Sequence, residues 1–349
     1  MVINLKFQSF SKAGRQLGIN DDRGKLIDKV IEILEYHKPK FFILENVRNL
    51  EKHNEGETWK YIKDRLLNLG YKIENKTLSP HNFGIPQHRE RMFIVGSLDG
   101  FKNFKWDNIT NEITKFHNTV PVNYIRLEKE KIKVLNVWQT FLNNLPKDIK
   151  PYSPLWSMEF GADYPLDLDL HTLPLVELRK FKGSFGKKLK GENINELLKG
   201  LPNYIKKKSG NLPKWKINYI NNNRAFYKKY QDIIDKVLPD IIDLNKESWQ
   251  KFEWTCGDLE KNIWSYYIQF RGSGIRIKKT DFFPSLVTVS TQIPIVGKDK
   301  RYISIEEARY LQSFPENIKL PNNNTATFRA LGNAVNITIL KNICSHLFI

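Results

Sequence analysis

The stretch Lys38 to Val47, KPKFFILENV, constrains the fold more than any other part of the chain. Ahead of it Ile27, Val30, Ile31 and Leu34 recur at helical spacing, and Asp21 and Asp22 are placed to cap that helix. Pro39 closes it, because proline cannot continue a helix and pushes the residue before it toward extended backbone. Phe41 to Leu44 are then apolar without alternation. Such a strand has no polar face to turn to water, so it belongs in a sheet covered on both sides, the usual setting of a parallel strand. The pattern continues. Trp59, Ile62, Leu66 and Leu69 predict a second helix stopped by Gly70, Tyr71 to Leu78 a strand, SPHNFGIPQ a loop and MFIVG another strand. Helices alternating with strands predict an α/β fold with a mostly parallel sheet. Val2 to Phe7 is a further candidate strand, with no helix or glycine-rich turn ahead of it.

From about Phe101 this rhythm is lost. Residues 101–283 hold 32 Lys/Arg against 21 Asp/Glu and seven of the eight tryptophans. FKGSFGKKLKGEN and LPNYIKKKSGNLPKWK mix lysines with glycines and aromatics. That mixture suits phosphate contact through lysine and base contact through planar groups; the plainer alternative is a solvated lysine-rich loop. Regular structure returns near Phe283. SLVTVST predicts a strand. SIEEARYLQSFPENI opens with a capping box, Ser304 to Glu307, and ends at Pro315. RALGNAVNITILKNICSHLFI sets Gly332 and Asn333 just ahead of an apolar helix. The expected organisation is three segments, 1–100, 101–283 and 284–349, the first and last forming one domain.

Charge and cysteine usage narrow the function classes. A net charge of +18 draws polyanions, nucleic acid first among them. No run of about 18 apolar residues is present, so no membrane helix is expected, and Met1 to Gln16 holds no apolar core of the signal-peptide kind. Cys256 and Cys344 lie far apart in no metal spacing, which points to a reducing, cytoplasmic setting.

Three stretches carry candidate chemistry. Glu45-Asn46-Val47 ends an apolar strand, where α/β sheets place their ligands, so Glu45 is positioned for acid or hydrogen-bond work; a helix-capping role is the alternative. In FGIPQHRERMFIVG the period of two puts Arg89 and Arg91 on one face and Glu90 on the other. Paired guanidiniums suit an anionic or carbonyl-rich ligand, against the alternative of an ion-paired edge strand. Gly332 permits a tight turn, and Asn333 offers both a donor and an acceptor.

Read in order, FQSFSKAGRQLGINDDRG, KPKFFILENV, NFGIPQHRERMFIVG, EEARYLQSFP and LGNAV resemble the ordered motif set of the bacterial DNA cytosine-5 methyltransferases. The resemblance covers residues 8–100 and about 284–349, and 101–283 occupies the place of that family's target-recognition domain. It implies a Rossmann-like methyltransferase sheet, double-stranded DNA as partner and S-adenosylmethionine as cofactor. It also implies a mechanism. A cytosine is flipped out of the duplex, and a cysteine thiolate attacks carbon 6 so that carbon 5 takes the methyl group. The match assigns Glu45 to holding and protonating N3, Arg91 to the ring's carbonyl oxygen with Arg89 in support, and Asn333 to one side of the cofactor pocket.

One departure stands out. The family carries Pro-Cys-Gln before Ser-Phe-Ser, whereas this chain reads Lys6-Phe7-Gln8-Ser9-Phe10-Ser11. Phe7 stands where the thiol belongs, and neither Cys256 nor Cys344 lies in a matching motif. The expectation is an N-terminally incomplete catalytic domain, without cofactor loop or nucleophile and inactive alone. Four readings stay open: a remnant; the C-terminal subunit of a split methyltransferase with an N-terminal partner chain; a non-catalytic DNA-binding protein; and an RNA cytosine methyltransferase of the same fold, against which the long middle segment argues.

Overall fold

The computed structural model describes residues 2–4, 26–108, 123–206 and 212–348. The chain divides into two compact units. Unit 1 comprises residues 1–124, 281–293 and 303–349, and unit 2 comprises 125–280 and 294–302. In chain order, unit 1 begins with β1 (Val2–Asn4), α1 (Leu26–His37), β2 (Phe41–Val47), α2 (Glu57–Asn68), β3 (Lys72–Leu78), β4 (Gln87–His88) and β5 (Arg91–Ser97). Unit 2 follows with α3 (Lys129–Asn144), β6 (Leu155–Trp156), α4 (Leu175–Leu178), α5 (Ile194–Lys199), α6 (Lys214–Lys229), α7 (Gln231–Ile234), α8 (Leu238–Ile242), β7 (Lys251–Thr255), β8 (Tyr267–Arg271) and β9 (Gly274–Lys278). The chain returns to unit 1 for β10 (Phe283–Pro284), adds β11 (Ile295–Val296) and β12 (Arg301–Tyr302) to unit 2, and ends in unit 1 with α9 (Ile305–Leu311), α10 (Asn324–Asn333) and α11 (Ile337–Leu347).

Unit 1 is built as the apolar pattern requires. Ile27, Val30, Ile31 and Leu34 of α1 and Ile62 and Leu66 of α2 are buried against Phe42 and Leu44 of β2. The opposite face, with Ile43, Phe93 and Val95, is closed by Ile339, Ile343 and Leu347 of α11. Both faces of β2 are thus covered, which is why its residues do not alternate. Fully burying each such side chain is worth roughly 1.5–3 kcal/mol.

The sheet order is β1-β2-β5-β3. β1 runs parallel to β2, but β5 is antiparallel to both β2 and β3, so the mostly parallel sheet expected from the sequence is not what forms. The cause is the connection. β2 reaches β3 through the helix α2, which keeps those two strands parallel to each other. β3 reaches β5 through residues 79–90, which hold only one turn of 3-10 helix, Pro80–Phe83, and the two-residue β4. Without a crossover helix the chain must reverse, and β5 inserts antiparallel between β2 and β3.

SLVTVST does not form the expected strand. Only Phe283–Pro284 pairs, with Gln87–His88, and residues 285–289 run irregularly. The capping box of α9 is present as read: Ser304 Oγ accepts from Glu307 N at 3.1 Å and Glu307 Oε2 from Ser304 N at 2.8 Å. Phe7, Asp21 and Asp22 lie outside the described residues.

Unit 2 carries 32 Lys/Arg against 19 Asp/Glu. Much of it lacks regular structure, as read, yet it is organised by a six-stranded sheet in the order β12-β11-β8-β9-β7-β6 that the reading did not anticipate. Phe252, Ile268, Phe270, Ile275 and Ile277 line one face. Trp138 of α3 stacks on Phe252 at 4.7 Å and donates its indole N–H to Trp249 O. Away from the sheet, the buried Glu159 accepts from Tyr204 at 2.5 Å and from the Tyr164 hydroxyl, and pairs with Arg224 Nε at 3.0 Å. The charge is fully enclosed, and these partners replace its lost hydration.

Candidate active site

The carboxyl end of β2 sets Glu45 against the start of β5. The register pairs Glu45 with Phe93 and Val47 with Arg91. Arg91 is therefore the diagonal, same-face neighbour of Glu45, a separation that long side chains bridge. Arg91 Nε lies 3.0 Å from Glu45 Oε1, and both side chains are largely buried, at 20% and 7% exposure. The pair is in ion-pair range, but its N–H is not aimed at the oxygen: Oε1 accepts no aligned hydrogen bond among the described residues. Burial raises the Glu45 carboxyl above the usual range, opposed first by Arg91 and then by Arg89. A carboxyl of this kind takes up a proton more readily than a solvated glutamate.

The two arginines have different surroundings. Arg91 gives Nη1 to Glu90 O at 2.8 Å, and Nη2 makes no hydrogen bond among the described residues. Arg89 is 4% exposed, and both its terminal nitrogens are engaged. Its Nη1 donates to Leu286 O at 2.7 Å and Ser285 Oγ at 3.3 Å, and its Nη2 to Gly332 O at 3.0 Å and Ala334 O at 3.1 Å. Burial and the neighbouring Arg91 push its guanidinium down to about 9, still cationic at neutral pH. Its backbone N–H is held by Ser79 Oγ at 2.9 Å. Arg89 therefore clasps the irregular 285–286 segment to the end of α10. Glu90 goes elsewhere, to an ion pair with Arg48.

Gly332 does not make a tight turn. It lies inside α10, where a Cβ would come within 2.7 Å of the Val287 carbonyl carbon and oxygen. Its role is close approach: the backbone of 287–288 packs directly on the helix, in line with the irregular path of that segment. Asn333, the last residue of α10, is half-buried beside the Gly332 carbonyl that Arg89 holds. The structure thus gathers Glu45, Arg89 and Arg91 and links Asn333 to them through one carbonyl.

Asn336 was missed by the sequence reading. It is buried, caps α11 by accepting from Ile339 N at 3.2 Å, and donates to Leu311 O at 3.0 Å. An asparagine directly before an apolar helical run was the available signal.

The described residues do not by themselves fit S-adenosylmethionine. Their strand ends carry no glycine-rich turn opening a helix, and Asn333 stands at the end of α10 rather than in a turn. Neither cysteine is placed as a nucleophile. Cys256 is buried in unit 2, and Cys344 of α11 packs against the core beside Ile339 and Ile343, where burial raises its thiol. On unit 2, Lys182, Lys187, Lys188 and Lys190 of the glycine-rich loop are exposed, and Lys214, Lys228 and Lys229 of α6 are exposed as well.

The chain is similar to known proteins along most of its length. Type II methyltransferase M.BanI of Aneurinibacillus aneurinilyticus is 27% identical over 357 residues, covering 98% of this chain and 78% of that protein. Type II methyltransferase M.HaeII of Haemophilus aegyptius is 40% identical over 155 residues, 43% of this chain and 46% of that protein. Among solved structures, the S. pombe Dnmt2 methyltransferase aligns over 99% of this chain and 76% of that one, with 14% identity and a TM-score of 0.42. Residues 8–348 match the C-5 cytosine-specific DNA methylases, and the chain belongs to that family.

Proposed function

We propose that this chain is the base-gripping and DNA-binding part of a restriction–modification cytosine-5 methyltransferase, and that it does not transfer methyl groups alone. The observation that carries the reading is Glu45: a buried carboxyl at a strand end, its acidity weakened by burial, with one oxygen that has no aligned donor among the described residues. Such a group holds a proton at Oε and delivers it to a ring nitrogen. On an extruded cytosine that nitrogen is N3, and its protonation draws electrons from carbon 6 and opens it to a thiolate. Arg91, with Nη2 available, serves the ring's carbonyl oxygen. Arg89 is a positioning residue, fixing the loop and helix end that carry Asn333. S-adenosylmethionine supplies the electrophilic methyl group for carbon 5. Unit 2, with most of the excess positive charge, holds duplex DNA through its phosphates.

Phe7 has no thiol, and in this reading a segment carrying the family's Pro-Cys-Gln turn supplies the nucleophile. The test is transfer of labelled methyl groups to duplex DNA by the chain alone, by the chain with an N-terminal fragment of a relative ending in that turn, and by Glu45→Gln with the same fragment. Turnover only in the second sample is expected. Turnover by the chain alone refutes the dependence on a partner, and full activity of Glu45→Gln refutes the role of the carboxyl.

A further inference from the structure

Unit 2 holds a cavity of about 480 Å³ between α6, residues 149–153 and the end of β7. Tyr152, Phe226, Tyr230 and Trp254 form its walls, Lys150 and Lys229 contribute the cations, and no carboxylate among the described residues lines it. Trp254 is pinned by its indole N–H to Gly257 O at 3.0 Å, and Tyr152 by Asn222 Nδ2, which donates to its hydroxyl at 3.1 Å. Phe226 and Tyr230 lie 5.0 Å apart with planes tilted by 54°, so their rings present two differently angled faces. Lys229 Nζ stands 5.2 Å from the Tyr230 ring centre. Lys150 pairs with Asp258, but both are well exposed, and an exposed pair of this kind exchanges partners at little cost.

Rigid aromatic walls with cations and no acid match one ligand chemistry, a planar ring carrying an anionic group. The volume lies within the range of small-molecule sites and admits a single base with its sugar and phosphate. We propose that this cavity binds one unstacked nucleotide, its base against Tyr230 and Phe226 and its phosphate at Lys229 and Lys150. This goes beyond duplex binding through phosphates: a base paired inside a duplex cannot reach these rings, whereas a base in a single strand stacks on aromatics at no unpairing cost.

The test uses the full chain and fluorescence anisotropy with labelled oligothymidylate of about eight nucleotides, beside a blunt duplex. Tyr230→Ala and Lys229→Glu are each expected to weaken the single strand about tenfold, within the range that loss of one stacking contact covers, and the duplex by less than about threefold. Lys229→Arg, which keeps the charge, is expected to bind as wild type. Thymidine monophosphate added as competitor separates the sources: displacement at millimolar concentration assigns the cavity to a free nucleotide, and its absence to a nucleotide within a strand. Lys229 is exposed, so its substitution leaves the fold intact if Tyr230→Ala does not. Unchanged single-strand binding in Lys229→Glu, or equal losses for strand and duplex, overturns the proposal. Failure of the wild type to bind duplex refutes the duplex reading instead and leaves the strand comparison standing.

Discussion

Gly332→Ala tests whether the seam between α10 and the 285–288 segment is as tight as its geometry requires. An alanine Cβ would stand 2.7 Å from both the carbonyl carbon and the oxygen of Val287, and 3.1 Å from Thr288 N. Ordinary contact begins near 3.4 Å, so the two backbones must part by about 0.7 Å. No flexible side-chain end can give way, because the atoms met are main chain. Forced expansion of a packed contact costs roughly 1–3 kcal/mol. The same movement stretches the clasp of Arg89, whose bonds to Leu286 O at 2.7 Å and Gly332 O at 3.0 Å span the seam. A hydrogen bond to a charged group is worth about 1.5–3 kcal/mol, part of which is lost as it lengthens. Against this, alanine is favoured over glycine in a helix by up to about 1 kcal/mol, and less near a terminus. The balance is a loss of about 2 kcal/mol. Urea denaturation followed by far-ultraviolet circular dichroism measures it for wild type, Gly332→Ala, Arg89→Met and the double variant. Because part of the cost runs through Arg89, the glycine substitution is expected to cost less in the Arg89→Met background. A Gly332→Ala chain within about 0.5 kcal/mol of wild type would show that the seam yields freely and that the argument from close approach is wrong.

Four other outcomes are expected. Glu45 has a raised carboxyl pKa in the folded state, so its contribution to stability is fully present below the unfolded pKa and declines as pH rises through the folded one. The difference in denaturation midpoint between Glu45→Gln and wild type should therefore move in favour of the glutamine variant between about pH 4 and pH 8, and a constant difference counts against a raised pKa. Glu159→Leu leaves Arg224 buried without its carboxylate and should destabilise unit 2 by about 3–5 kcal/mol in the same denaturation assay; a change below about 1 kcal/mol refutes that role. Duplex affinity should fall steeply between low and high salt, and charge-reversing Lys187, Lys188 and Lys190 together should flatten the slope; a shallow slope in wild type removes phosphate contact as the source. Phe7→Cys alone should give no methyl transfer, because a thiol without a bound methyl donor at attack distance has nothing to complete, and measurable turnover in a labelled-methyl assay contradicts this.

What could be read from the sequence followed from local periodicity. The helical stripe of Ile27, Val30, Ile31 and Leu34, the apolar run of β2 and the capping box at Ser304 each depend on residues close in sequence, and each formed where expected. Strand direction did not follow, because it was decided by what joins β3 to β5: proline, glycine and short turns in place of a helix. SLVTVST has the β-branched composition of a strand, yet its carbonyl at Leu286 bonds to a guanidinium nearly 200 positions away and its Val287 peptide packs on a helix glycine. No local pattern announces either partner. The strands of unit 2 were more readable than they were read: Ile275-Arg276-Ile277-Lys278 alternates after the short turn that ends β8, which is a hairpin signal among irregular neighbours.

The RER stretch shows how far residue type alone goes in assigning a role. Arg89 and Arg91 have the same side chain, sit two positions apart and both act on the Glu45 carboxyl. What separates them is how many of their donors are already used. Arg89 spends Nη1 and Nη2 on three carbonyls and a hydroxyl supplied by residues 285–286 and 332–334, so neither terminal nitrogen is left for a ligand. Arg91 heads a strand whose partner residue, Val47, supplies no acceptor side chain, and among the described residues its Nη2 makes no hydrogen bond while Nε stays near Glu45. The difference arises because residues that are remote in sequence, the 285–286 loop and the end of α10, meet at Arg89 and not at Arg91. A glutamate beside one guanidinium whose terminal nitrogens are both engaged and one that keeps a terminal nitrogen open among the described residues is an asymmetric acid. Arg89 opposes the effect of burial on that carboxyl less than Arg91 does, and in the proposed reaction Arg91 also meets the carbonyl oxygen beside the proton's acceptor. That asymmetry ties the chemistry proposed for Glu45 to the C-terminal helices, because weakening the clasp at Gly332 also loosens the lesser of the two charges that oppose burial at the acid.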